Sequence, residues 1–327
     1  MRSAALIGTG SYLPDNVLTN FDLEKMVDTS NEWIMKRTGI SERRIADKEM
    51  ATSDLSIYAA RRAIKSAKID PLEIDMIIVS TSTPDSAFPS TACSVQNGIG
   101  AKNSYGFDLA AACSGFVYGL DLADGMIKSS RYDTVLVVGA EIFSRIVDWE
   151  DKSTCVLFGD AAGAAIIQVS EEPGIIASYC GADGAYADAD LLGVPAGGSR
   201  MPASATTVDL KLHTIKMRGQ EVFKLGVRIM PEAAQKVLDT AGVSIDQVDL
   251  VIPHQANSRI IEAVGDRIGI DPEKIYVNVN QYGNTSAASV IVALDEAIRE
   301  EHAKVGDLIL LTVFGAGLTW GSTLIRL

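Results

Sequence analysis

With 327 residues, 47% of them hydrophobic and only 6% aromatic, the chain has the composition of a soluble α/β protein and the length for two cores or one duplicated core. Its 42 acidic residues against 29 basic ones give a net charge of -13, which argues against a general nucleic-acid binder and requires any anionic ligand to meet a local basic patch. No apolar run has the length of a membrane span, the first residues lack the pattern of a secretion signal, and the four cysteines show no CxxC spacing, so the expectation is a cytoplasmic protein with neither a disulfide framework nor a metal site.

In chain order, Ala4 to Pro14 reads as a short strand followed by a Gly-rich turn. A dinucleotide-binding turn is disfavoured there, because Leu13 stands where a third glycine is needed and Pro14 spoils the helix start. Residues 29–39 read as an N-capped short helix ending at Gly39, with Trp33, Lys36 and Arg37 on one face. An indole beside two cations suits a nucleotide, and it equally suits a packed Trp on a solvated basic helix.

Phe107 to Phe116 reads as a buried strand entering a turn of small residues, with Cys113 where a helix over 114–128 begins. The positive end of that helix would favour the thiolate and make a nucleophile; the alternative is a buried cysteine serving as a small hydrophobe. The remaining pattern repeats. A helix over 53–68 leads through Ile69-Asp70-Pro71-Leu72-Glu73-Ile74-Asp75 into a strand at 76–80, and a helix over 221–241 leads through Val243-Ser244-Ile245-Asp246-Gln247-Val248-Asp249 into a strand at 250–253. Gly-rich corners follow at Phe158-Gly159-Asp160 and Phe314-Gly315-Ala316-Gly317. Two halves, 1–170 and 171–327, are therefore expected, each an α/β unit with a mostly parallel sheet covered on both faces.

In such a duplication, equivalent loops face each other across a pseudo-twofold axis. Cys113, His254 directly after the strand at 250–253, and Asn284 at the start of the second long helix then become three strand-end groups that meet. Taken singly, His254 and Asn284 are also ordinary turn residues. His213 falls in an alternating, strand-like stretch and His302 at the end of a charged helix.

These segments, with Phe88-Pro89-Ser90-Thr91-Ala92-Cys93, Gly219 to Lys224, Pro253-His254-Gln255-Ala256-Asn257 and Gly283 to Ser289, together resemble the β-ketoacyl-acyl-carrier-protein synthase III family over essentially the whole chain. The resemblance implies a thiolase-like fold, two duplicated halves in a five-layered αβαβα body. It implies a decarboxylative condensation that begins fatty-acid synthesis: Cys113 takes an acyl group from acyl-CoA, and the enolate formed from malonyl-acyl-carrier-protein attacks it, with His254 and Asn284 as donors to the enolate oxygen. The oxyanion of the acylation step would meet the N–H of Cys113 and one of the Ala316 and Gly317 corner.

By the same resemblance, Thr29, Trp33, Arg37, Lys152, Phe223, Ala256 and Asn257 would bind CoA. Lys224, Gln255 and Arg259 would meet the carrier protein, and Phe88 would close the acyl pocket across a homodimer interface. Lys152 stands where many relatives have an arginine stacked on the adenine, and it lacks that flat surface. No tightly bound cofactor is implied, CoA thioester being a substrate. The competing readings are a noncatalytic acyl-binding relative, a polyketide-type condensing enzyme, and a hydroxymethylglutaryl-CoA synthase, which needs a glutamate; no glutamate neighbours Cys113 in sequence. The starter acyl group stays open among acetyl, branched and longer chains.

Overall fold

The structure, a computed structural model, describes residues 2–327. Its first half contains β1 (Ser3–Tyr12), α1 (Thr52–Ala67), β2 (Met76–Ser80), α2 (Thr91–Ile99), β3 (Tyr105–Leu109), α3 (Gly115–Lys128), β4 (Thr134–Ile142) and β5 (Asp160–Ser170). The second contains β6 (Ile175–Ala182), α4 (Gly219–Ala241), β7 (Leu250–Pro253), α5 (Ser258–Ile268), α6 (Ser289–Arg299), β8 (Leu308–Gly315) and β9 (Thr319–Arg326). One sheet has the order β1-β5-β4-β2-β3 and the other β6-β9-β8-β7, so the same succession of strands is built twice. Where the second sheet would take its counterpart of β3, a single parallel bridge joins Ile275 to Val251.

The continuous apolar runs predict strands buried on both faces, and this is how they are used. Along β2, Met76 and Ile78 point into the core between the sheets, while Ile77 and Val79 point to the opposite face against α1. The central core holds α3 and α6 between the sheets; α1 and α2 cover the outer face of one, and α4 covers that of the other. Five layers result. The strand directions differ from expectation: β2 pairs parallel with β3 and β4, and β7 with β8, but β5 and β9 return antiparallel. The sheets are mixed, because an apolar run identifies burial and carries no direction.

The Gly-rich segment near the N-terminus also departs from its expected turn, since β1 runs unbroken to Tyr12. Gly8 and Gly10 are where α1 crosses the strand: a Cβ would lie 2.5 Å from Ala67 N at the first and 2.4 Å from Ala63 N at the second. Pro231 interrupts α4, and the Val227 carbonyl it leaves without its helical partner accepts instead from Arg267 Nη1 at 3.0 Å. The helix nevertheless runs on to Ala241. His213 lies in a turn and not a strand, with Nε2 2.9 Å from Thr207 Oγ1. His302 lies beyond the end of α6 and packs edge-on to Tyr276.

Candidate active site

Cys113 stands in a 3₁₀ turn, Ala112–Ser114, between β3 and α3. Its counterpart in the other half is the turn Ser286–Ala288 before α6, which therefore starts at Ser289, later than the sequence suggests. Both turns open with a non-glycine residue in the left-handed region, Ala112 at φ 45° and Ser286 at φ 49°. Each turn rests on the strand end of the opposite half. A Cβ on Gly139 of β4 would sit 2.3 Å from Ala287 O, and one on Gly315 of β8 would sit 2.8 Å from Cys113 N. This crossed packing brings residues about 170 positions apart in the chain to one place, as a duplication requires.

His254 follows β7, its N–H donating to Thr312 O at 2.8 Å, and its Nδ1 lies 2.7 Å from Ser289 Oγ. Asn284 is tied to the first half through its N–H to Leu157 O (2.8 Å) and its carbonyl from Gly159 N (3.1 Å). Its Oδ1 accepts from Ser286 N at 2.8 Å, which turns the amide nitrogen the other way. Cys113, His254 and Asn284 are 6%, 3% and 8% exposed, and all three line one cavity of about 880 Å³.

Burial decides the electrostatics. It pushes the Cys113 thiol up to about 12, the direction opposite to the one the helix end alone leads one to expect. Burial drives His254 down to about 3, so its ring is neutral near pH 7, with one nitrogen carrying a proton to donate. The backbone N–H groups of Cys113 and Ala316 have no backbone acceptor among the turn and loop hydrogen bonds of the described residues.

From this floor the cavity runs outward to the exposed Arg37, Lys152, Lys224 and Arg259. Trp33 lies on the helix Asn31–Thr38, which Ser30 caps and Gly39 ends; Arg37 is 5.3 Å and Lys152 5.9 Å from its ring. Phe223 and Ala256 line the same wall, and Arg259 lies 5.5 Å over the Phe223 ring. Asn257 caps α5 and donates from Nδ2 to Arg37 O at 3.0 Å. Thr29 does not line the cavity, although its Oγ1 is buried and unpartnered. Gly317 is also outside the lining, whereas Ala316 is in it.

Two expectations need revision. Gln255 is 1% exposed: its amide donates to Pro253 O and Tyr276 O and accepts from Asn278 N and Val279 N, so it holds the loop before Asn284 and offers nothing to a carrier protein. A glutamate does neighbour Cys113, namely Glu141 near the end of β4, fully buried and opposing ionisation of the thiol. Sequence reasoning passed over it, yet a signal was present: it is the one charged residue in the otherwise apolar or neutral run Thr134–Ile142. Phe88, 85% exposed, takes no part in the cavity of its own chain.

A thiol held among groups that donate hydrogen bonds, with no free base on the cavity wall beside it, is suited to taking an acyl group and then to carbanion chemistry, which a base would quench. On a body of this duplicated topology, that is the site of a condensing acyltransferase of the thiolase fold. Two family models match, 3-oxoacyl-[acyl-carrier-protein] synthase III over residues 107–184 and its C-terminal part over residues 238–327. The β-ketoacyl-[acyl-carrier-protein] synthase III of Caldanaerobacter subterraneus is 55% identical over 325 residues, covering 99% of this chain and 98% of the relative. The crystal structure of 3-oxoacyl-[acyl-carrier-protein] synthase III from Aquifex aeolicus is 51% identical, with a TM-score of 0.91 over 99% of this chain and 100% of that one. The priming β-ketosynthase of the R1128 polyketide pathway is 35% identical, with a TM-score of 0.91 over 99% and 96%. The chain belongs to the 3-oxoacyl-[acyl-carrier-protein] synthase III family.

Proposed function

We propose that Cys113 carries the acyl group in the initiating condensation of type II fatty-acid synthesis, and the observation that carries this reading is the meeting of Cys113, His254 and Asn284 on the floor of one cavity. Cys113 Sγ attacks the thioester carbonyl of acyl-CoA, the N–H groups of Cys113 and Ala316 hold the oxyanion, and CoA departs. Malonyl-acyl-carrier-protein then enters the same cavity. Loss of CO2 leaves its bonding electrons on an enolate, whose oxygen is met by His254 Nε2–H and Asn284 Nδ2. The enolate carbon attacks the acyl-cysteine carbonyl, the C–S bond breaks, and β-ketoacyl-acyl-carrier-protein leaves.

In this reading Trp33, Arg37 and Lys152 hold the nucleotide end of CoA, with Thr29 supporting their segment, and Phe223, Ala256 and Asn257 flank the pantetheine. Lys224 and Arg259 stand at the mouth, where an acidic carrier protein docks. Residues 1–170 and 171–327 are the two repeats. The exposed Phe88 supports a homodimer in which each chain closes its partner's acyl pocket. Among the described residues no helix is long and apolar enough to cross a membrane.

The likeness to a polyketide priming enzyme keeps a second reading in view. The two are separated by the extender. With acyl-CoA as starter, malonyl-acyl-carrier-protein is expected to give β-ketoacyl product much faster than malonyl-CoA; equal rates would move the assignment to the polyketide class, and no product from either would overturn it.

A further inference from the structure

With Ser289 Oγ donating to His254 Nδ1 at 2.7 Å, the one proton of the neutral ring sits on Nε2 and neither nitrogen is left to take the proton that Cys113 loses when it attacks, so that proton needs another acceptor. Behind the turn Ser286–Ala288 lies one. Both oxygens of the Glu141 carboxylate accept from Ser82 N (3.1 and 3.0 Å), and Oε2 also accepts from Thr83 Oγ1 at 2.7 Å and Thr81 Oγ1 at 3.4 Å. Ser286, fully buried and part of the cavity wall, has its hydroxyl near both Cys113 and the Glu141 carboxylate. Neither approach has the geometry of a formed hydrogen bond, so Ser286 Oγ is a buried hydroxyl without a partner. A buried orphan hydroxyl is costly, and a reacting thiol on one side with a carboxylate on the other accounts for one.

We propose that Ser286 is a further catalytic residue, passing the Cys113 proton to Glu141 during acylation. This rests on the reading of Cys113 as the acyl carrier. As the bond from Cys113 Sγ to the acyl carbon forms, the thiol proton moves to Ser286 Oγ and the Ser286 hydroxyl proton moves to a Glu141 oxygen. When the C–S bond to CoA breaks, the proton returns by the same path to the CoA sulfur, leaving Glu141 ionised and Ser286 neutral. Glu141 acts only through Ser286, since it does not line the cavity. It is a positioning and storage group, distinct from a glutamate that works on substrate directly.

The surroundings leave Glu141 free for that role. Burial raises it to about 7, against the lowering effect of its hydrogen bonds. Its neighbours from the paired strand β5 and the 81–83 segment are Ala161, Thr81, Ser82 and Thr83, none of them ionisable. Asp85 is engaged with Ser53 N, and Asp160 with Ala46 N and Ser144. Cys113 is the titratable group set against it.

The test is single-turnover acylation by acetyl-CoA without malonyl-acyl-carrier-protein, read by intact mass from pH 5.5 to pH 9, for wild type, Ser286→Ala and Glu141→Gln. The wild-type rate is expected to rise with pH through an inflection near neutrality and then level. Ser286→Ala should slow acylation by about 10²-fold, and Glu141→Gln should slow it similarly and abolish the inflection. Wild-type rates in both variants, or slower rates with the inflection intact, overturn the proposal. If Glu141→Gln does not fold, Ser286→Ala decides alone, because Ala112 shows that alanine is accepted at this left-handed φ. A wild-type protein that takes no acyl group overturns the proposed function as well, whereas an acylating wild type with indifferent variants overturns only this inference.

Discussion

His254 Nδ1 and Ser289 Oγ lie 2.7 Å apart, joining the end of β7 to the first residue of the central helix α6. A neutral imidazole carries one proton. If the serine hydroxyl donates to Nδ1, that proton resides on Nε2, which is the arrangement an enolate oxygen requires. Removing the hydroxyl frees the ring to adopt the other tautomer. Ser289→Ala is therefore expected to slow condensation by roughly 10-fold, less than the ~10²–10³ for deleting a donor outright, while Cys113 still acylates. Rate constants for the two half-reactions measured separately check this, and equal loss in both would refute the tautomer role.

Asn284 has its oxygen engaged by Ser286 N and its nitrogen available. Asn284→Ala should preserve acyl transfer to Cys113 and lower decarboxylative condensation by about 10²–10³-fold. Stopped-flow CoA release together with CO2 release separates the steps. A variant defective only in acylation would contradict the assignment.

Lys152 reaches Trp33 as a point charge and is itself held by Asp28, through the backbone oxygen at 2.9 Å and Oδ2 at 3.3 Å. A guanidinium would add a flat face over a bound adenine. Lys152→Arg is expected to lower KM for acyl-CoA by about 2–5-fold, equivalent to ~0.5–1 kcal/mol of exposed stacking, with kcat unchanged. An unchanged or higher KM in initial-rate kinetics would show that this position does not stack on the nucleotide.

Glu141 also makes a statement about stability. Its folded-state value, about 7, lies above the ordinary carboxyl value of 4.5, so the folded protein binds more protons than the unfolded chain between the two. The stability associated with protonated Glu141 is full below pH 4.5 and is lost as pH rises through 7. Glu141→Gln, which cannot ionise, should therefore improve relative to wild type as pH rises over that window, whatever constant offset its altered hydrogen bonds impose. Thermal unfolding of both proteins from pH 4.5 to pH 8 measures it; a constant difference in Tm would mean that Glu141 is ionised throughout.

Much of this site was legible because its residues are odd in their local context. Cys113 sits among alanines, His254 directly after a short apolar strand, and Asn284 after a glycine, so each marks a strand end or turn before any fold is known. What stayed hidden depends on contacts between distant segments. Gly8 and Gly10 look like a turn until α1 is seen pressing on them, and Gln255 looks like a surface polar residue until the 276–279 loop is seen closing over it. Glu141 and Ser286 belong to different halves and acquire meaning only where β4 meets the second turn. Strand direction was hidden for a different reason, since antiparallel β5 and parallel β2 bury the same kinds of side chain.

The central claim is that Cys113 is the acyl carrier between CoA and the carrier protein. Proteolytic peptide mapping by mass spectrometry after brief exposure to acetyl-CoA tests it most directly, with and without a chase of malonyl-acyl-carrier-protein. The account predicts an acetyl mass on the peptide containing Cys113 that the chase removes. An acetyl group that never appears there, or that appears on Cys93, Cys155 or Cys180 and leaves Cys113 free, would contradict it.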